Sequence, residues 1–173
     1  MSLNPYAFPS GIWSTPEVSY YGLTAKAAIE SGQYKKVGEG VALYSECLRG
    51  LGFAPLGLLK LVFDQTGSID DCGDGTNEGG ETIRRKNTII GVHIIGDDAC
   101  ELIHHGMELV KGGRTLEDAA DGLYGAVTYH EMYRIAAERG LESIRGSGGS
   151  WRKSAGKATS RGRRRRRRDG GGR

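Results

Sequence analysis

Apolar residues change their spacing several times along this chain, and each change marks an element. From Ile12 to Tyr21, aromatic and β-branched residues stand between the breakers Pro5, Pro9, Gly11, Pro16 and Gly22, a pattern of short strands. Thr24 to Glu30 reads as a capped turn or two of helix closed by Gly32. Tyr34 to Leu43 is extended. Gly57 to Asp64 and Thr88 to Ile95 are two dense apolar runs, predicted to pair as an antiparallel hairpin because only turn chemistry lies between them. Over Asp98 to Lys111 the period becomes helical, with Ala99, Leu102, Ile103, Gly106, Met107 and Val110 on one stripe. Asp98 and Glu101 are expected as its N-cap and capping-box partner, and Gly112 and Gly113 as its end. A shorter helix fits Thr115 to Leu123. A last one fits Glu131 to Arg139, opened by the Thr128 and Glu131 capping pair and stopped at Gly140.

Strands first and helices afterwards predict an α+β domain over residues 1–145, an antiparallel sheet with helices packed on one face. The connection over residues 65–87 is far longer than a hairpin loop of roughly 2–5 residues. Its acidic, Gly-rich centre has little to bury, so it reads as an insertion that leaves the sheet intact and projects into solvent. Residues 146–173 form a Gly/Ser/Arg-rich tail, expected to be disordered.

Charge separates these parts. The tail carries 11 Lys and Arg against Asp169 alone, leaving 13 basic and 20 acidic residues in the body, so the overall charge of +3 describes neither. A run such as Arg163 to Arg168 binds nucleic acid or acidic partners without sequence preference. Nothing in the body adds to that signal. Cys47, Cys72 and Cys100 are too widely spaced for a redox dithiol or a zinc site and read as reduced thiols in a reducing compartment, cytoplasmic or an organellar matrix. No apolar run reaches 18 residues, so no membrane span is expected. The N-terminus lacks the order of a signal peptide.

Two clusters invite a metal. Asp70, Asp74, Gly75 and Glu81 fall at positions 1, 5, 6 and 12 of a calcium loop, but Cys72 occupies position 3, where a hard oxygen ligand belongs. A solvated acidic loop is the reading adopted. His104 and His105, considered with His93, diverge by about 100° as helix neighbours and read as ordinary surface or interface histidines. No metal site is predicted.

Four ordered blocks carry a family resemblance. Ser14-Thr15-Pro16-Glu17-Val18 with Tyr21-Gly22-Leu23-Thr24 comes first, then Gly57 to Asp64. Ile89-Ile90-Gly91-Val92-His93-Ile94-Ile95-Gly96 with Ala99-Cys100-Glu101-Leu102-Ile103 follows, and Thr128-Tyr129-His130-Glu131 comes last. Together they resemble the C-terminal interface domain of FAD-dependent pyridine nucleotide-disulfide oxidoreductases. Glu101-Leu102-Ile103-His104-His105-Gly106 and Tyr133 to Leu141 are most similar to the soluble NAD(P) transhydrogenases of that family, flavoproteins without a redox disulfide.

The resemblance implies a homodimerisation domain whose parent moves reducing equivalents between NAD(H) and NADP(H) through FAD. It also implies that the family's closing histidine, the general acid/base for redox thiols, is replaced here by Ala126, with Val127 at the proline position. Alanine cannot exchange a proton. Glu131 matches the glutamate that orients that histidine and is read as a helix cap with Thr128. No catalytic residue is therefore assigned. No G-x-G-x-x-G follows a strand, so no cofactor-binding residue is assigned either, and FAD and NAD(P) belong to a full-length parent. The chain alone is expected to be inactive. Tyr124, Tyr129, Met132, Tyr133 and Ile135 supply more apolar surface than a small domain need bury internally, consistent with a dimer contact. The alternative is a non-enzymatic assembly or scaffold module recruited by its polybasic tail.

Overall fold

The computed structural model describes residues 5–67 and 85–146. The calcium-loop residues, Cys72 and the Arg163 to Arg168 run lie outside these. Five antiparallel strands form one sheet in the order β1-β2-β5-β4-β3: β1 (Ser10–Ile12), β2 (Val18–Gly22), β3 (Val37–Leu43), β4 (Leu58–Asp64) and β5 (Thr88–Ile95). The expected hairpin is at its centre, with Leu58 opposite Ile95 and Asp64 opposite Thr88. Asp64 is buried, and its Oδ1 accepts from the Thr66 N–H and hydroxyl, turning the chain out of β4.

Helices α3 (Ala99–Lys111), α4 (Leu116–Ala120) and α5 (Glu131–Arg145) cover one face of the sheet. Leu59, Leu61 and Phe63 of β4 and Val92 and Ile94 of β5 meet Leu102, Ile103, Leu116, Met132 and Tyr133 there, all essentially without solvent contact. Between Val62 and Phe63 the register to β5 slips by one residue. The bulge sends Ile89 into this core and Ile90 to the opposite face, where α1 (Ala25–Glu30) packs Ala28 on Ile90 and Val62. The other end of that face is an open groove; α2 (Leu48–Phe53), which follows β3 after a single 3-10 turn, lays Arg49 on the Tyr129 ring.

Four expectations need correction. Asp98 does not cap α3: it sits in the left-handed region at φ 57° and its side chain makes no cap bond. Glu17, from the loop before β2, accepts the Cys100 N–H at 3.0 Å instead, and the buried Ser19 hydroxyl donates to the Ala99 carbonyl at 2.6 Å. The helix start is thus held by side chains about 80 residues away in sequence, which no local pattern reports. The α3 stripe is also rotated slightly, with Leu109 inside while Met107 and Val110 are half-buried.

Gly140 does not stop the last helix, which continues to Arg145. It is buried, and a Cβ there would meet Leu116 Cδ1 at 2.7 Å and Phe63 Cε1 at 3.1 Å. On the facing strand, a Cβ at Gly40 would stand 2.2 Å from the Ala136 carbonyl oxygen and 2.9 Å from the Gly140 nitrogen. The two glycines let α5 lie directly on β3, and the packing outweighs the helix propensity that glycine sacrifices, about 1 kcal/mol.

Finally, Tyr129, Met132 and Tyr133 are interior at 6%, 0% and 0% exposure, so they are not available to a partner. The Tyr133 hydroxyl reaches across to the Leu102 carbonyl of α3 at 2.6 Å, which accounts for a fully buried phenol.

Gly40→Ala should therefore destabilise the protein by roughly 1–3 kcal/mol, because backbone rather than a flexible side chain stands in the way. Urea denaturation reads this directly. A midpoint equal to wild type would show that α5 can shift away from β3 without loss.

Candidate functional site

The face of the sheet left open beyond α1 forms a groove of about 650 Å³ between β2, β5, β4 and β3. Strand register builds its floor. Ile12, Val18, Ile95, Leu58 and Leu43 are cross-strand neighbours in one row running over all five strands. Two residues further along, Tyr20, His93, Lys60 and Val41 make a second row. Alternation puts both rows on the face away from the α3–α5 core.

The polar members of the groove are mostly paired with one another. Lys60 Nζ donates to Glu39 Oε1 at 2.9 Å. Arg139 grips Glu46 with both guanidinium nitrogens and also donates to the Val41 carbonyl at 3.1 Å, tying α5 to the rim. His93 is the exception. Its ring stacks near Tyr20, with centroids 6.5 Å apart, and both ring nitrogens are buried without a hydrogen-bond partner. Burial holds its pKa down to about 4, the nearby Lys60 cation adding to the effect and Glu39 partly opposing it.

The closing segment lies on the other side of the molecule. Ala126 is exposed, as is Val127, which adopts φ 60°. Glu131 Oε2 accepts the Thr128 N–H at 3.4 Å, whereas the Thr128 hydroxyl donates to the Gly125 carbonyl at 2.8 Å and does not close the reciprocal half of the box. The structure does not bring the three histidines considered for a metal together. His104 is exposed, His105 points into the junction of α3 and α5, and His93 is across the sheet from both. Among the described residues no group of three or more His, Cys, Asp or Glu is placed to hold a metal ion.

His105 meets instead His130, Tyr124 and Tyr133. Sequence reasoning missed this cluster. The one local signal was the His130/Tyr133 spacing of three, which places both rings on one helix face.

Cys47 and Cys100 are free thiols. Cys100 lies between β1 and Glu17, where burial and the neighbouring carboxylate push its pKa up, the opposite of a reactive thiolate.

Two outcomes follow from this geometry. His93 is held neutral in the fold, so its contribution to stability is complete above the free-imidazole value of about 6.5 and is lost as the pH falls from there towards about 4. His93→Phe should flatten the fall in denaturation midpoint across that interval, and an unchanged slope would contradict it. At Val127, a β-branched residue in the left-handed region costs about 1–2 kcal/mol. Val127→Gly should accordingly stabilise the fold by roughly 0.5–1 kcal/mol once the entropy of glycine is subtracted, seen as a higher urea midpoint.

No protein-family model matches the chain. A soluble pyridine nucleotide transhydrogenase from Mycobacterium bovis is 33% identical over 130 residues, covering 75% of this chain and 23% of that protein. One from Colwellia psychrerythraea is 28% identical over 140 residues, covering 79% and 26%. Among solved structures, LpdA from Mycobacterium tuberculosis superposes with a TM-score of 0.61 at 15% identity, over 80% of this chain and 26% of that one. The flavoprotein disulfide reductase RclA from Escherichia coli gives 0.59 at 17% identity, over 76% and 26%. The chain spans about a quarter of the length of the curated relatives it matches. In fold and in sequence it belongs with the C-terminal dimerisation domain of FAD-dependent pyridine nucleotide-disulfide oxidoreductases, on the side of the soluble pyridine nucleotide transhydrogenases.

Proposed function

We propose that this chain is the dimerisation module of a flavoprotein that passes reducing equivalents between NAD(H) and NADP(H), with FAD and both nucleotides held by other polypeptide. The observation that carries the reading is its 33% identity over 130 residues to a soluble pyridine nucleotide transhydrogenase. Residues 1–145 make up the module in this reading, interrupted by the 65–87 insertion.

Ala126 supports the choice of chemistry. At the exposed tip of the closing segment it offers no proton to a dithiol, and hydride transfer through a flavin asks for none. Glu131 then serves the first turn of α5 and no reaction. Free Cys47 and Cys100 agree with a reducing compartment.

The surface supports an assembly role. Beside the apolar row on the open sheet face, α2 and the turn after it expose Leu48, Leu51, Phe53 and Leu56, Leu56 at 82%. A domain that stands alone in water rarely leaves apolar residues so clustered. With Tyr129, Met132 and Tyr133 inside, the open groove and the exposed residues of α2 are the surfaces we assign to protein contact.

In light scattering the purified chain should be a dimer at tens of micromolar at both low and high salt, with no flavin absorbance. Phe53→Asp with Leu56→Asp, both on exposed side chains, should shift it to monomer without changing its circular dichroism. A monomeric wild-type chain, or a stoichiometric flavin band, would overturn the assignment.

A further inference from the structure

The inner side of the closing segment carries a group of rings that neither the sheet nor the assembly reading uses. His105 of α3 lies edge-on to Tyr133 at 4.7 Å between centroids, to Tyr124 at 5.7 Å and to His130 at 5.8 Å. Its Nε2 is buried and has no hydrogen-bond partner. Neither phenol donates to it, for the Tyr133 hydroxyl goes to the Leu102 carbonyl and the Tyr124 hydroxyl to the Ala119 carbonyl at 3.1 Å. His130 in turn stacks over Tyr133 at 6.2 Å.

This enclosure suits a neutral imidazole. A protonated His105 would hold a buried, charged N–H with no acceptor, and a protonated His130 would face it with the same sign. Among the described residues, none of the charged groups around the cluster is hydrogen-bonded or ion-paired to His105. Arg114, Asp118 and Asp121 line the hollow beside His105 and Tyr124, but Asp118 is taken by Arg85 at 3.0 Å and by the Thr115 N–H at 2.9 Å. Arg134 acts on Tyr124, and Glu131 is engaged by the Thr128 N–H. Along α3 itself, Glu101, His104 and Glu108 are exposed to water.

The segment clipped down by these rings is also strained, since it holds Val127 at φ 60°. Strain of that kind persists only while surrounding contacts impose it.

We propose that His105, enclosed by Tyr124, His130 and Tyr133, is an acid-operated latch that holds residues 121–130 against α3 when neutral and releases them when protonated. Burial lowers the proton affinity of both His105 and His130, and His130 lowers that of His105 further. The sign follows: the latch is closed above the free-imidazole value of about 6.5 and opens as the pH falls below it. Release frees the stretch that carries the fully exposed Leu123 and Ala126, so it alters the surface offered there to other protein.

Hydrogen exchange read by mass spectrometry on the full chain tests this at about pH 7.5 and about pH 5, either side of the imidazole range, after correction for intrinsic rates. Peptides covering 121–130 should lose about tenfold or more in protection as the segment opens locally. Peptides from β4 and β5 should not. Unchanged protection over 121–130, or an equal loss in the sheet, would overturn the proposal. His105→Phe keeps the ring packing without the titrating group and should stay protected at the lower pH; a loss as large as in wild type refutes it. Should that variant fail to fold, the His105 ring can be titrated by NMR in wild type and in His130→Gln. A midpoint below the ordinary histidine value that rises in His130→Gln supports the latch, and a midpoint at the ordinary value in wild type overturns it.

Discussion

The close approach of α5 to β3 sets the positions of several other parts. Gly40 and Gly140 face each other across it, and the absence of two side chains brings the helix backbone down to the strand. From that height the Tyr133 hydroxyl reaches the Leu102 carbonyl and fixes α5 against α3, while Arg139 reaches over the sheet edge to Glu46. Phe63 and Leu116 fill the space beside Gly140, so α4 is located by the same seam. Interiors packed to this density deform in steps rather than gradually. A single methyl group at the seam is therefore felt by three helices.

The sheet that receives these helices has unequal faces. One is a dry core of Leu, Ile, Val, Phe and Tyr. The other is covered by α1 at one end, with the help of the bulge that turns Ile90 outward, and is open at the other. The open end retains apolar residues in a continuous cross-strand row and encloses His93, whose nitrogens have no partner. Contiguous apolar rows are uncommon on a free surface and ordinary in contacts between proteins, where an imidazole without a partner in the fold can also gain one. This asymmetry agrees with the coverage of the relatives, in which the matching region is about a quarter of a longer polypeptide. The open face, where the apolar row lies beside paired charges, is thus unlike the dry face under the helices, and it is the face proposed for assembly.

The histidines show how environment separates identical side chains. His93 is surrounded by a stacked tyrosine and an ion pair, His105 by an edge-on cage of rings, and His104, its neighbour in sequence, by solvent. Burial disfavours the protonated form of His93 and His105. One sits on the open sheet face and the other under the closing segment, two separate regions of the same domain.

Residue order alone determined the strands, the central hairpin, the existence of all three packed helices and the α+β class, because alternation, helical period and glycine punctuation are local properties of the chain. It also carried the family resemblance and the alanine at position 126. Local pattern misplaced what depends on distant partners. Gly140 carries a stop signal by composition, yet β3 arrives there and makes a missing side chain an advantage. Asp98 has the chemistry of a cap, but Glu17 takes the α3 amide and leaves Asp98 in a left-handed turn. Tyr129, Met132 and Tyr133 exceed what α5 needs for itself and still fit inside, Tyr129 beside Tyr44 and the Tyr133 hydroxyl over Gly106, which has no side chain. The groove around His93 and the cage around His105 are likewise products of tertiary structure alone: each joins side chains from elements far apart in sequence, and no spacing along one element encodes a distance between two.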